Sequence, residues 1–136
     1  MESTKVKLTT SAASTYEYKF NDSGNLIYDS NNIKIVIKAI VNNNQKTGIS
    51  VYIENNTDTD WTVQVRNTSI NGFMVDPIFS PVVCSKKCII DSIDFYNSEL
   101  AENGIEKINE AEISFLFLES GNYLSNFDTG ILKFEL

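Results

Sequence analysis

Two cysteines are the sharpest chemical feature of this sequence, and they stand close together at Cys84 and Cys88. The segments on either side, Phe79–Val83 and Ile89–Phe95, predict two strands, so the cysteines are expected at facing positions of a hairpin. Their Cα atoms would then lie about 4.5–5.5 Å apart, which is within disulfide reach. A disulfide across so short a loop would contribute only ~2 kcal/mol to stability. Two reduced thiols are the alternative, and export from the cell would favour the disulfide.

The cysteines are poorly suited to a metal or redox site. A C-x3-C spacing supplies two ligands, and the sequence contains neither a second cysteine pair nor a histidine to complete a zinc site. A thioredoxin-like redox pair requires C-x-x-C at the start of a helix, which this spacing does not match. The pair is therefore interpreted as a structural clip, a hypothesis that two reactive thiols in the unreduced protein would rule out.

Two polar turns bring carboxylates close together in sequence and are the weak candidates for a calcium site. The first turn holds Asp22 and Asp29, and the second holds Asp58 and Asp60. Ca²⁺ takes roughly six to eight oxygen ligands, but neither turn has the EF-hand order that ends in a glutamate. Solvated turns are the favoured interpretation, and neither a metal nor a cofactor is predicted.

The sequence contains no histidine, which removes the commonest general base and every histidine-assisted nucleophile. Carboxylates could still form an acid–base pair, and the segment 99–112 is rich in them. The acids of this segment are Glu99, Glu102, Glu106, Glu110 and Glu112. A charge run of this kind is typical of a solvated face. No catalytic residue is predicted, and the chain is not expected to be an enzyme.

Short runs of alternating apolar and polar residues, separated by turns rich in Asn and Gly, occupy most of the chain. Such runs, at intervals of about 8–12 residues, predict an all-β fold. The expected architecture is a two-sheet antiparallel β-sandwich, immunoglobulin-like, with one short helical crossover near residues 98–104. Ser98 would cap this helix and Gly104 would end it. The segment 111–118 is apolar on both faces towards its end, which predicts a central strand.

The stretch Ile49–Pro77 contains the clearest strand signals of the sequence. Two runs, Ile49–Ile53 and Trp61–Val65, flank the six-residue polar loop Asn55–Asp60 and are predicted to form a hairpin. Asn71-Gly72 predicts a type I′ turn, since both central residues of that turn need φ > 0. Trp61 is expected to be a core anchor.

Thr62, Gln64 and Arg66 alternate with the apolar residues of the second run and are expected on the solvent side of the sheet. This outward set is the predicted interaction surface, and Arg66 is expected to pair with a carboxylate. A sheet face or an exposed edge strand is a common means by which such domains bind a protein partner.

The length of 136 residues fits one domain. Residues 1–15 are predicted to be an edge strand or linker, and residues 16–136 a single β-sandwich domain that begins with an alternating run at Tyr16, Tyr18 and Phe20.

The net charge of −7 argues against nucleic acid, whose phosphates require clustered Lys and Arg. No apolar run is long enough to span a membrane and no signal segment opens the sequence. Any anchor or signal is therefore expected outside this chain.

From Ile53 to Phe79 the sequence resembles a family of uncharacterised domains of Gram-positive bacteria (Firmicutes). The shared pattern is an IEN strand end, a strand, the NG turn and a DP break before an aromatic residue. It continues more weakly through Ser98-Glu99-Leu100, Gly104-Ile105 and Phe115. The resemblance implies an immunoglobulin-like β-sandwich carried by a secreted, lipid-anchored or membrane-tethered protein, with no activity attached to it. The cysteines depart from the pattern, which has Gly and Lys at their turn.

Together with the missing catalytic groups, these features predict a non-enzymatic interaction or accessory module of a bacterial cell-surface or secreted protein. Its expected location is extracellular or at the cell surface, and its expected partner is a protein of unknown identity. The alternative is a small-ligand, glycan or Ca²⁺-binding β-sandwich that uses the Asn/Asp-rich turns and Trp61. A cleft around Trp61 with converging Asn and Asp side chains would favour that alternative.

Overall fold

The structure is a computed structural model that describes residues 24–122 and 124–136. Within these residues the chain forms nine β-strands and one helix. The predicted run at Tyr16–Phe20, the segment 1–15 and the calcium candidate Asp22 lie outside the described residues. In chain order the elements are β1 (Asn25–Ser30), β2 (Ile33–Asn42), β3 (Lys46–Asn55), β4 (Trp61–Ile70), β5 (Phe73–Met74), β6 (Val82–Val83), β7 (Lys87–Tyr96), α1 (Asn97–Glu102), β8 (Glu110–Glu119) and β9 (Asn126–Glu135).

The strands form two antiparallel sheets that face each other across the core. The four-stranded sheet has the order β1-β2-β3-β7, and the five-stranded sheet has the order β9-β8-β4-β5, with β6 also paired to β4. The pairings of β3 with β7 and of β4 with β8 join strands that are distant in sequence. The predicted all-β fold of two antiparallel sheets is therefore confirmed.

The core is filled by the side chains that strand alternation directs between the sheets. Isoleucines of β2 and β3 face aromatic residues of β8, and the largest fully buried side chains include Ile35, Ile53, Phe95, Phe115 and Phe117. Trp61 packs edge-on against Phe117 at 6.2 Å and against Phe127 at 5.1 Å between ring centroids, which confirms it as a core anchor. β8 pairs with β4 on one side and β9 on the other, as predicted for a central strand.

The predicted turn at Asn71-Gly72 is present and joins β4 to β5. Both residues have positive φ, 51° and 87°, and the flanking pair Ile70 and Phe73 face each other across the hairpin. Glycine has little steric penalty at such a φ and asparagine tolerates it better than most residues do. A second turn of the same kind, at Asn31 and Asn32, joins β1 to β2.

The predicted hairpin between the runs Ile49–Ile53 and Trp61–Val65 is wrong. These runs belong to β3 and β4, which lie in different sheets. The loop between them passes from one sheet to the other, and the buried last residue of β3, Asn55, holds it through a side-chain bond to the Thr59 carbonyl. A polar loop of this length is compatible with a hairpin or with a crossover, and strand alternation does not distinguish them.

The predicted helical crossover links β7 to β8, and α1 spans Asn97–Glu102. It begins before Ser98, so that residue lies in the first turn and does not cap the helix. The helix ends as predicted at Gly104, whose N–H donates to the Ala101 carbonyl (3.0 Å), while Ile105 N–H donates to Leu100 (2.9 Å). These two bonds form a Schellman motif. This single helix of the described residues is far too short to cross a bilayer.

Candidate functional site

The predicted interaction residues lie on the face of the five-stranded sheet that points away from the core. Thr62, Gln64 and Arg66 alternate along β4 with inward Val63 and Val65. They face Leu118, Leu116 and Ser114 of the neighbouring strand β8. β4 pairs with β8 from Trp61 to Arg66, whereas its other neighbours, β5 and β6, pair with it only near its two ends.

The three predicted residues differ in accessibility. Thr62 is 8% exposed and shares a hydrogen bond of 3.2 Å with the Ser120 hydroxyl. Gln64 is half-buried and Arg66 is exposed. The part of the predicted surface that a partner could contact is therefore formed by Gln64 and Arg66, while Thr62 belongs to the framework beneath it.

The Arg66 side chain is held by its own strand. Its Nη2 donates to Gln64 Oε1 at 2.6 Å, and its Nη1 donates to the Val65 carbonyl oxygen at 3.1 Å. Among the described residues, an amide and a backbone carbonyl thus take the place of the predicted carboxylate. The two bonds use two of the five N–H donors of a guanidinium group. The cation is therefore oriented across the sheet face and keeps further donors for a partner.

Two leucines of β8 complete this surface. The sequence had predicted only that their segment forms a central strand. Leu116 and Leu118 are half-buried on the outward face, opposite Gln64 and Thr62. We call Gln64, Arg66, Leu116 and Leu118 the outward patch. Val82, beside Thr62, and Ile131, beside Ser114, are exposed apolar residues at its margins. The apolar character of 115–118 on both faces was the signal that could have revealed these residues.

The two cysteines do not face each other in a hairpin, and that prediction is wrong. Cys84 follows β6, which belongs to the five-stranded sheet, whereas Cys88 lies on β7 in the four-stranded sheet. A tight turn closed by the Lys87 N–H and the Cys84 carbonyl (3.1 Å) carries the chain between the sheets. Both thiols are free in the structure, Cys84 exposed and Cys88 half-buried. The disulfide itself stays a prediction for thiol titration to decide.

The calcium candidates in the β3–β4 loop contact groups of the cysteine turn. Asp58 pairs with Lys86 at 3.5 Å, and Lys86 Nζ also donates to the Asn56 carbonyl at 2.9 Å. Asp60 Oδ1 accepts the Ser85 N–H at 2.7 Å. A lysine ammonium therefore occupies the position next to the loop oxygens that a cation would use.

The remaining acids are dispersed. Asp29 lies on β1, cross-strand from Lys34. Glu99 Oε2 accepts the Asp76 N–H at 3.0 Å, and Glu110 pairs with Lys133 at 3.6 Å. Across the described residues, no group of three or more Cys, Asp or Glu side chains is arranged to hold a metal ion.

The proton affinity of Tyr52 is strongly altered by its surroundings. It lies on the outward face of the four-stranded sheet, where its hydroxyl donates to Glu54 Oε1 at 2.6 Å and contacts Cys88. Burial first, and then these neighbours, raise the pKa of the Tyr52 phenol well above its ordinary value. The group is a neutral hydrogen-bond donor at physiological pH. Sequence alternation placed Tyr52 on this face but gave no sign of its burial.

Comparisons of the chain with protein-family models, with curated proteins and with solved structures gave no match.

Proposed function

We propose that this chain is a non-enzymatic accessory module of a bacterial cell-surface or secreted protein, and that it binds a protein partner through the outward patch. The observation that carries the proposal is the arrangement on β4 and β8. A guanidinium group, held in place by Gln64, lies on the same outward sheet face as Leu116 and Leu118 of the paired strand β8.

The composition of this face favours a protein partner. Arginine is enriched in protein interfaces, while Lys, Glu and Asp are depleted at their centres. Arg66 is oriented before binding, so little side-chain entropy is lost when a partner accepts its remaining N–H donors. The leucines beside it offer apolar area that a partner would remove from water.

The sequence resemblance supports the cellular setting. The domains that the stretch Ile53–Phe79 resembles are carried by secreted, lipid-anchored or membrane-tethered proteins. Outside a cell, a compact sandwich with a net charge of −7 would stay soluble. Its sheet face would remain free to meet proteins of the same compartment.

The test is site-specific photocrosslinking in the bacterial cells that make the protein. A benzophenone amino acid in place of Leu116 should give one discrete crosslinked product, whereas the same group at Leu124, which is 94% exposed in the turn before β9, should not. Arg66→Glu should abolish the product. Lys107→Glu, an equal charge reversal on the exposed crossover, should leave it unchanged. The same products from positions 116 and 124 would contradict the proposal.

A further inference from the structure

Strand β7 lies at one end of the four-stranded sheet, and part of its outer edge is open. Its inner edge pairs with β3 over its whole length. Among the described residues, its outer edge is bridged only at Asp94, whose carbonyl accepts the Ile78 N–H (2.8 Å) and whose N–H donates to the Ile78 carbonyl (3.2 Å). Backbone groups of every second residue point to the same side of a strand. The groups of Cys88, Ile90 and Ser92 therefore point outward as well.

This open segment, Cys88–Ser92, has the properties of a site for strand addition. Ile90, at its centre, is 51% exposed, and unpaired N–H and carbonyl groups along an edge are a template for another strand. A second copy of the segment matches it. In an antiparallel pair centred on Ile90, Cys88 of each copy would face Ser92 of the other, and all the outward groups would meet. Such a contact is two-fold symmetric, which is the commonest arrangement in homodimers.

Asp91 occupies one of the outward donors of this segment. Its Oδ1 accepts the N–H of the next residue, Ser92, at 2.8 Å. By alternation Asp91 belongs to the core-facing side of β7, between Ile89, which packs against the core, and the fully buried Ile93. It is nevertheless exposed, and its carboxylate bonds to the outer edge of the strand. A charge at an inward position of an edge strand is one of the features that prevent edges from pairing.

Pairing with a second copy would require the bond between Asp91 and Ser92 to break. The Ser92 N–H would have to leave the carboxylate in order to donate to the Cys88 carbonyl of the second copy. In the same pair Asp91 would lie directly opposite Ile89 of the second copy. There the carboxylate would lose water without gaining a positive charge in return, which is unfavourable. Both effects oppose association, and both depend on one side chain.

We propose that Asp91 blocks the outer edge of β7 and thereby prevents it from pairing with β7 of a second copy of this chain. The side chain does so by occupying the Ser92 N–H and by placing a charge where the second strand would bring an isoleucine. This inference does not depend on the proposed function, because the outward patch lies on the other sheet.

Sedimentation equilibrium of the full chain tests the proposal. Asp91→Thr introduces a residue that is favoured in strands and removes the carboxylate. It should lower the dissociation constant of self-association by at least about tenfold, because a charge-assisted bond no longer has to be broken in each copy. The matched control, Glu102→Thr, removes the same charge from an exposed position of α1 and should change the constant by less than about twofold. An Asp91→Thr protein that associates no more tightly than this control would overturn the proposal.

A second substitution separates pairing at this edge from association elsewhere or through unfolded chains. Ile90→Pro removes an N–H that points away from β3, so it takes no bond from the sheet. Added to Asp91→Thr, it should restore the dissociation constant of the wild type. Association that persists in the double variant would overturn the proposal, because the contact would then not involve the β7 edge.

Crosslinking checks the register of the pair. In a Cys84→Ser, Cys88→Ser background that carries Asp91→Thr, two copies of residue 90 would face each other with Cα atoms about 5.5 Å apart, which is within disulfide reach. Ile90→Cys should therefore form an interchain disulfide under mild oxidation. Tyr96→Cys, at an exposed position of the same strand outside the open segment, should do so far more slowly. Equal rates at the two positions would overturn the proposal.

Discussion

Asn55 Nδ2 donates a hydrogen bond of 3.0 Å to the carbonyl oxygen of Val83, a residue that lies 28 positions further along the chain. This bond joins the end of β3, in the four-stranded sheet, to β6, in the five-stranded sheet. The same amide donates to the Thr59 carbonyl at 2.8 Å, and its Oδ1 accepts both the N–H and the hydroxyl of Thr57. One fully buried side chain therefore organises the loop in which the chain changes sheets.

Replacement of Asn55 by alanine should be strongly destabilising. Asn55 is fully buried, and its loss would leave the Thr59 and Val83 carbonyls and the Thr57 N–H without their partner. We expect the free energy of unfolding to fall by about 3 kcal/mol, measured by urea titration followed by Trp61 fluorescence. The neighbouring Asn56→Ala is the control, because Asn56 is exposed and its side chain contacts Glu54. Equal losses in the two variants would show that the amide is not the organising group.

Local pattern predicted most of the strands and the direction of their side chains. Alternation placed Val63 inward and Arg66 outward, and the double apolar character of residues 115–118 identified a central strand, because these properties depend only on the pleat. Asn71-Gly72 was likewise predictable, since its φ requirements are carried by the two residues themselves.

The partners of the strands were less predictable. The bond from Asn55 to Val83 determines that the loop is a crossover, but it joins residues far apart in sequence. The predicted cysteine hairpin failed for the same reason, because β6 pairs with β4 and not with β7. The burial of Tyr52 on an outward face also depends on tertiary contacts, which local sequence does not reveal. The outward patch was only half predicted because Leu116 comes from a strand about fifty residues after Gln64.

The side chain of Asn71 should contribute more to the stability of the protein than its backbone position in the turn alone would. Its Oδ1 accepts the N–H groups of Asn109 and Glu110, at 2.9 and 3.1 Å, and its Nδ2 donates to the Lys107 carbonyl at 2.7 Å. Asn31 has the same turn position and a similar φ of 55°, but among the described residues its side chain bonds only the Tyr28 hydroxyl. Asn71→Ala should therefore lower the free energy of unfolding by roughly 1–2 kcal/mol more than Asn31→Ala does. Equal effects would mean that the backbone conformation accounts for the whole cost.

Tyr52 should contribute to the free energy of unfolding, and this contribution should be lost at alkaline pH. Its pKa is raised in the native state, so above about pH 10 the unfolded chain releases this proton while the native chain keeps it. The contribution is complete below pH 10 and falls by up to about 1.4 kcal/mol for each further pH unit. Tyr52→Phe should lack this component and show a shallower alkaline decline in urea titrations. Tyr96→Phe, at an exposed position, should retain the full decline, and parallel curves for wild type and Tyr52→Phe would contradict the assignment.

Calcium should not stabilise this protein, because Lys86 already pairs with one of the two aspartates, Asp58, of the loop that would bind it. Its ammonium group lies 3.5 Å from Asp58 and 2.9 Å from the Asn56 carbonyl, and Ca²⁺ would have to displace it to gather enough oxygen ligands. A cation at one hundred times its Kd would add about 2.7 kcal/mol to the free energy of unfolding and raise the Tm by several degrees. We expect millimolar Ca²⁺ to shift the Tm by less than about 1 °C relative to NaCl of equal ionic strength. A rise of several degrees that Asp58→Asn removes would instead favour the ligand-binding alternative and would make the β3–β4 loop the site.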